Sequence, residues 1–341
     1  MPTRNNRSSI NDVARTAGVS VGTVSNVLNR PERVLPSTRD RVLQAINDLA
    51  FVPNGSARQL RAGTITTVGA IVLDIANPFF TEVVRGIEDR LAADSYTLML
   101  ASSDEDPARE ARYLRLFEEH GVSGMMVVPS GKDLTPLLNL RGRGTNLVLL
   151  DRTSQRADVS SVGVDDVLGG HLAVQHLLEL GHTRIALING PHSIIQCADR
   201  WAGAVQAVTA AGLDPDRVLR EITIGSLNSA SGERGAIELL RTKRNRPTAI
   251  FCVNDLTALG AMRALRDRKV SVPDEMAVVG YDDVGFAAEL AIPLTSVRQP
   301  THDIGFRAAD LLIGQSSAPP QQVLFSPELV IRASSGPTGR P

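Results

Sequence analysis

Residues 9–29, S-I-N-D-V-A-R-T-A-G-V-S-V-G-T-V-S-N-V-L-N, decide how the chain is organised. Ser9 followed by Asp12 has the form of a capping box, in which the hydroxyl takes an orphan helical N–H and the carboxylate reaches back. Ile10, Val13, Ala14 and Ala17 then recur at helical spacing. Gly18 supplies the permissive backbone where a helix ends in a sharp turn. Val19 is apolar inside that turn and plugs the angle between two helices. Ser20 caps a second helix running to about Leu28, with Val24, Val27 and Leu28 facing inward. Two short helices joined by a Gly-containing turn read as a helix-turn-helix, whose second helix enters a DNA major groove. An ordinary corner between two helices has the same spacing.

The outer face of the second helix separates these readings. Val21, Gly22, Thr23, Ser25 and Asn26 are small or neutral-polar, so nothing prevents close approach to a duplex. The pattern D-V-A-R-x-A-G-V-S-x-x-T-V-S-x-V-L-N, followed by P-N-x-x-A-R-x-L at residues 53–60, resembles the lactose-repressor (LacI/GalR) family of bacterial transcription regulators. The resemblance covers nearly the whole chain. It implies DNA contacts at Ser20, Val21, Gly22, Thr23, Ser25, Asn26 and Asn29, and further contacts at Asn54, Ala57 and Leu60. By composition residues 53–63 are a linker, since Gly55, Ser56 and Gly63 are poor helix formers. In the family this segment becomes a hinge helix on DNA, and Leu60 matches a leucine that wedges into the minor groove.

Charge distribution points the same way. Residues 1–63 hold nine arginines, no lysine and four carboxylates, a net +5, whereas the remainder carries 27 basic and 33 acidic residues. A basic head on an acidic body fits a nucleic-acid-binding module attached to something else. The two cysteines, Cys197 and Cys252, form no disulfide framework, which suggests a reducing compartment. No apolar run approaches the roughly 18 residues of a membrane span. A soluble, cytoplasmic protein is expected.

After the loop R-P-E-R-V-L-P, Ser37 with Asp40 repeats the capping-box pattern and predicts a third helix. Val42, Leu43, Ile46 and Leu49 form its expected buried stripe, with Arg39 and Arg41 on the solvated side. From Thr67 onward short apolar runs alternate with helical segments near 80–93, 107–120, 165–181, 199–212, 231–243 and 256–268. This texture means βαβ units and parallel sheets covered on both faces. The tail adds a helix near 303–313, a Pro/Ser/Gln loop at 314–322 and a last strand. The expected fold is therefore an all-α helix-turn-helix head at 1–52, a hinge at 53–64, and a two-lobed α/β effector and dimerisation domain at 65–341. With the resemblance, that domain is periplasmic-binding-protein-like, with doubly wound lobes and crossovers near 163, 292 and 322.

Open parallel sheets bind ligands outside the carboxyl ends of their strands. The polar and aromatic residues just beyond those ends are Asp74, Asn77, Phe79, Phe80, Asp104, Asp151, Asn189, Asn254, Asp255, Asp282, Asp283 and Gln299, although Asp and Asn are also ordinary helix caps. The resemblance assigns effector stacking to Phe79 and Phe80. It assigns effector hydrogen bonding to Asp151, Gln196, Arg200, Asn254, Asp282 and Gln299. Two positions depart from it: Leu227 stands where an aromatic floor is common, and Val128 where a polar group is frequent.

Other chemistry is weakly signalled. There is no P-loop and no G-x-G-x-x-G behind a strand, and His171, His176 and His182 are wrongly spaced for one metal-binding helix face. No nucleophile–base set emerges, so neither enzyme nor cofactor is expected. The expected function is a DNA-binding repressor controlled by a sugar or sugar phosphate and acting on an inverted repeat. A transporter's sugar-binding protein is the alternative, disfavoured by the helix-turn-helix and the lack of an export signal. After Ile331 the tail has no heptads and two prolines, which predicts a homodimer rather than a tetramer.

Overall fold

The computed structural model describes residues 8–52, 66–152, 158–241, 245–314 and 319–336. The expected contacts Asn54, Ala57 and Leu60, the hinge at 53–64 and the tail at 337–341 lie outside these residues. The chain divides into two compact units, Met1–Ile65 and Thr66–Pro341.

The first unit contains α1 (Ile10–Ala17), α2 (Val21–Asn29), a single 3₁₀ turn (Pro31–Arg33) and α3 (Pro36–Asp48). Ser9 accepts the Asp12 N–H through Oγ at 3.3 Å, and Asp12 Oδ2 accepts the Ser9 N–H at 2.9 Å, so the capping box is formed. Gly18 closes α1 at φ +65°, where a side chain would be strained. Val13, Ala14, Ala17, Val24, Val27, Val42 and Ala45 make the core, with Val19, Leu28 and Phe51 packed at its margin.

Two expectations fail in α3. Ser37 and Asp40 form no capping box: the cap falls two residues earlier, at Leu35, which makes no side-chain bond, and the helix starts at Pro36. Proline's fixed φ and missing N–H suit the first helical position, so Ser37 is already inside the helix. Leu43 is 44% exposed. The stripe through Val42 runs on to residues 45, 46 and 49, and Leu43 points about 100° away from it; Ala45 fills the core instead.

The second unit holds two six-stranded sheets. The first has the order β11-β5-β4-β3-β1-β2, built from β1 (Thr67–Val72), β2 (Thr97–Ser102), β3 (Gly124–Val127), β4 (Asn146–Leu150), β5 (Ser160–Val164) and β11 (Gln322–Phe325). All its neighbours are parallel. The second has the order β12-β10-β9-β8-β6-β7, from β6 (Ile185–Asn189), β7 (Leu219–Thr223), β8 (Ala249–Cys252), β9 (Ala277–Asp282), β10 (Thr295–Arg298) and β12 (Glu328–Val330). It is parallel except for edge strand β12, which runs antiparallel to β10.

Helices α4 (Pro78–Ala92), α5 (Pro107–Glu119) and α6 (Thr135–Gly142) connect strands of the first sheet. Helices α7 (Asp166–Glu179), α8 (Ile195–Ala210), α9 (Pro215–Val218), α10 (Ser229–Arg241), α11 (Asp255–Asp267) and α12 (Phe286–Glu289) belong to the second, and α13 (Thr301–Gly314) returns to pack on α4. Each lobe has an apolar core on both faces of its sheet. Among the described residues no helix is long and apolar enough to cross a membrane.

The chain passes between lobes three times, after β5, between β10 and α13, and between β11 and β12. The second and third passages come later than the 292 and 322 expected. The reason is that β10 pairs with β9, and Gln322 opens β11, which pairs with β5. The single last strand expected is thus two strands, one in each sheet. Helix α8 begins at Ile195, ahead of the 199 expected, because its start follows a turn at 191–194 with no capping side chain to mark it.

Candidate functional site

On the head, α2 presents Ser20, Val21, Gly22, Asn26 and Asn29 to solvent, with Thr23 and Ser25 partly exposed. Ser20 Oγ accepts the Thr23 N–H at 3.1 Å and lies 2.9 Å from the Thr23 hydroxyl, which fixes the helix start. Asn29 folds back onto its own helix, donating to the Ser25 carbonyl at 2.8 Å. The face is uncharged from Val21 to Asn29 and followed by exposed Arg30 and Arg33. A small neutral surface flanked by cations has the form that suits base edges between phosphates.

In the second unit, the C-terminal strand ends of both sheets meet at one cleft with about 450 Å³ of empty volume, open solvent at its mouth included. Of the expected effector residues, Phe79, Phe80, Asp151, Gln196, Arg200, Asn254 and Asp282 line it. Gln299 does not. It follows β10, whose Arg298 pairs with Asp282 in register, and its Nε2 donates to Asp282 Oδ1 at 2.8 Å, so it supports that carboxyl from behind.

Asn77 caps α4 by accepting the Phe79 N–H at 3.0 Å, which seats Phe79 and Phe80 edge to face, centroids 4.9 Å apart. Asn254 caps α11 through Thr257 N–H at 2.8 Å and donates to the Leu227 carbonyl at 2.9 Å. Its amide is therefore engaged at both ends.

Arg200 and Gln196, one helical turn apart on α8, turn inward because α8 packs backbone to backbone on α7. A Cβ at Gly170 would overlap the Arg200 carbonyl, and one at Gly203 the Val167 carbonyl. The contact brings Arg200 Nε to Asp166 Oδ1 at 2.8 Å and its guanidinium over the Tyr281 ring at 3.6 Å. Burial, the largest influence, would lower the Arg200 pKa, but the charge and hydrogen bond of Asp166 together with Tyr281 and Asp282 outweigh it and hold the group protonated. Gln196 Nε2 crosses to the other lobe, donating to Asp151 Oδ2 at 2.9 Å and to the Asp151 carbonyl.

The backbone is strained where the site is built. Asp104, Glu105, Asp151, Asp282 and Asp283, at strand C-terminal ends, all lie at positive φ. Such conformations cost about 1–3 kcal/mol each and cluster at ligand sites. Burial pushes the Asp151 carboxyl well above the usual carboxylate range, and the Asp166 charge adds to it. Burial also raises Asp282 to about 7, against the favourable effects of Arg200 and Gln299.

Sequence reasoning missed Leu73, Ile194 and Glu105. Glu105 Oε1 accepts the Leu227 N–H from the opposite lobe at 3.1 Å. Its place directly after Asp104 at the end of β2 was the available signal. Leu227 rests against Gly190 and Cys197, where even a Cβ on Gly190 would collide. Val128 is fully buried in the core beneath the cleft. Burial drives the Cys197 thiol up to about 12, so it packs rather than reacts. Among the described residues no group of His, Cys, Asp and Glu could hold a metal ion.

A helix-turn-helix head carried with a two-lobed α/β domain, cleft at the strand ends, defines a DNA-binding regulator that answers to a small molecule. Residues 9–54 match the description "Bacterial regulatory proteins, lacI family", and residues 174–335 match "Periplasmic binding protein-like domain". The HTH-type transcriptional regulator DegA of Bacillus subtilis (strain 168) is 34% identical over 337 residues, 97% of this chain and 99% of that protein. The HTH-type transcriptional repressor PurR of Aliivibrio fischeri (strain ATCC 700601 / ES114) is 34% identical over 334 residues, 95% of this chain and 97% of its own. The Lac repressor dimer bound to operator and the anti-inducer ONPF superposes with a TM-score of 0.81 at 27% identity, covering 97% of this chain and all of that one. The complex of the transcriptional regulator CelR with cellobiose gives 0.70 at 31%, over 96% and 100%. The chain belongs to the lacI family of bacterial regulatory proteins. It is a DNA-binding transcriptional regulator with an effector-binding second domain.

Proposed function

We propose that this chain is a cytoplasmic transcriptional repressor that binds an inverted-repeat operator as a homodimer and is switched by a small, hydroxyl-rich, sugar-like effector held between its lobes. The observation that carries the reading is the convergence of Asp151, Gln196, Arg200, Asn254 and Asp282 with Phe79 and Phe80 on one interlobe cleft, in a chain headed by a helix-turn-helix. Carboxyl and amide oxygens grip paired hydroxyls, and an aromatic pair stacks on an apolar sugar face, while Arg200 holds the carboxyls of the site in place. Related proteins supply context: CelR is described with cellobiose, the Lac repressor dimer with operator and ONPF, and a LacI family regulator of Enterococcus faecium with ribose.

In this reading Ser20, Val21, Gly22, Thr23, Ser25, Asn26 and Asn29 meet the major groove. Asn54, Ala57 and Leu60 belong to a hinge at residues 53–64 that orders on DNA. One short reading helix gives limited specificity, so two copies on a palindrome are needed. The chain acts by binding rather than by catalysis. Because Gln196–Asp151 and Glu105–Leu227 join the lobes directly, an effector that alters either contact changes their relative rotation.

The test is footprinting with selected operator fragments. Protection of an inverted repeat, and weaker binding by Leu60→Ala at a site with a central CG step, are expected. A single asymmetric half-site, or unchanged affinity in Leu60→Ala, would refute the hinge reading.

A further inference from the structure

The charges and orphan atoms of the cleft restrict what its effector can be. The lining carries four carboxyl side chains, Asp74, Glu105, Asp151 and Asp282, and a single cation, Arg200. That cation is already engaged: Nε donates to Asp166, Nη1 to the Val253 carbonyl, and its face covers Tyr281. Little of its charge is left for a ligand.

Among the side chains that line the cleft or back its carboxyls, the buried atoms without a partner are carboxyl and amide oxygens; the Tyr281 and Thr257 hydroxyls, also unpartnered, lie outside the lining. Asp151 Oδ1, Gln196 Oε1 and Gln299 Oε1 have no hydrogen-bond partner, although each residue is only 3–4% exposed. All three are oxygens. Asp151 and Gln196 are themselves part of the lining, one from each lobe. A buried polar atom left unpaired costs about 1–3 kcal/mol, and a hydroxyl, which both donates and accepts, satisfies the Gln196 oxygen and the Asp151 carboxyl whether or not the latter holds its proton.

We propose that the cleft selects effectors that are hydroxyl-rich and either uncharged or amine-bearing, and that it excludes phosphorylated or carboxylate-bearing ones. The proposal rests on the effector-binding reading above and narrows it by charge. It removes sugar phosphates from the expected class. An anion placed here meets the Asp74, Glu105 and Asp282 side chains of the lining, while the one lining guanidinium is bonded to Asp166 and to the Val253 carbonyl. A hydroxyl or ammonium donor instead reaches the open oxygens of Asp151 and Gln196. The carboxyl titrations agree. Burial raises Glu105, opposed by the Leu227 N–H, and the neighbouring charges of Asp74 and Asp104 raise it further. The cleft therefore already resists the negative charge it has.

The full-length protein is tested by thermal unfolding against matched compounds: D-ribose with D-ribose 5-phosphate, and D-glucose with D-glucosamine, D-glucuronate and D-glucose 6-phosphate. Titration calorimetry on each compound that stabilises gives the affinity ratio, and operator affinity is measured in parallel. At least one uncharged or amino member is expected to stabilise the protein, with its phosphate or carboxylate counterpart at least tenfold weaker. Glu105→Gln, at a partly exposed position, is expected to narrow that ratio. A phosphorylated or carboxylate member that binds as tightly as its neutral counterpart overturns the proposal. So does a panel in which no member of any charge binds, since donor recognition is the premise. A neutral compound that binds with the expected discrimination yet leaves operator affinity unchanged would instead defeat the switch reading and leave the charge rule standing.

Discussion

Replacing Arg200 by methionine removes the guanidinium while keeping a long apolar side chain. Its partner Asp166 sits 2.8 Å away, and both side chains are 6% exposed. Breaking one side of such a pair leaves an uncompensated buried charge and costs about 3–5 kcal/mol. Loss of the cation over Tyr281 lies within the same truncation and is not added to it. Asp166→Asn alone strands the guanidinium and is destabilising for the same reason. The double variant Arg200→Met/Asp166→Asn buries neither charge, so it should recover about 2–3 kcal/mol relative to the sum of the singles. Trp201, the only tryptophan of the chain, is the next residue on α8, so its fluorescence during urea unfolding reports the second unit directly. Additive losses in the double variant would show that the pair does not hold α7 to α8. The same geometry warns against Arg200→Ala as a clean test of effector contact, since it weakens the lobe as well as the site.

Asp282 is expected to make stability pH-dependent. Its folded-state pKa of about 7 lies above the usual 3.8, so the stability it lends is full below about 3.8 and is lost as pH rises through about 7. At 1.36 kcal/mol per pH unit that interval is worth about 4 kcal/mol at most. Asp282→Asn should therefore flatten the fall in stability between pH 5 and pH 8, and parallel wild-type and variant profiles would contradict the assignment. Ser20→Ala removes the cap of α2 and should cost about 1 kcal/mol in the head, read as faster hydrogen exchange at the Thr23 amide; unaltered protection there would show the cap is not holding the helix.

The head was readable because its signals are local. Ser9, Asp12, Gly18 and Ser20 act within four residues of where they stand, and the capping box formed as the spacing predicts. Ser37 and Asp40 carried the same letters, but Pro36 sets the helix start first. The alternating apolar runs announced parallel sheets since buried strands must be nearly all hydrophobic. Strand β5, S-S-V-G-V, escaped because its serines are small polar residues buried at a sheet position, and β10, T-S-V-R, for the same reason. In the cleft, residue types at strand ends were legible while their partners were not. Nothing local reveals that Asn254 spends its amide on Leu227, that Gln299 stands behind Asp282, or that Glu105 reaches across to the opposite lobe. Those facts depend on pairing between segments distant in sequence or on the closure of two lobes.

The central claim is that the interlobe cleft and the DNA-binding head are coupled, and thermodynamic reciprocity tests it most directly. The affinity of a panel compound that stabilises the protein is measured by calorimetry, with and without saturating operator duplex. Coupling of about 1–3 kcal/mol changes ligand affinity roughly 5- to 150-fold, and the same compound must shift operator affinity by the same factor. Equal factors in the two titrations are expected. Ligand affinity that is identical in the presence and absence of operator would contradict the account.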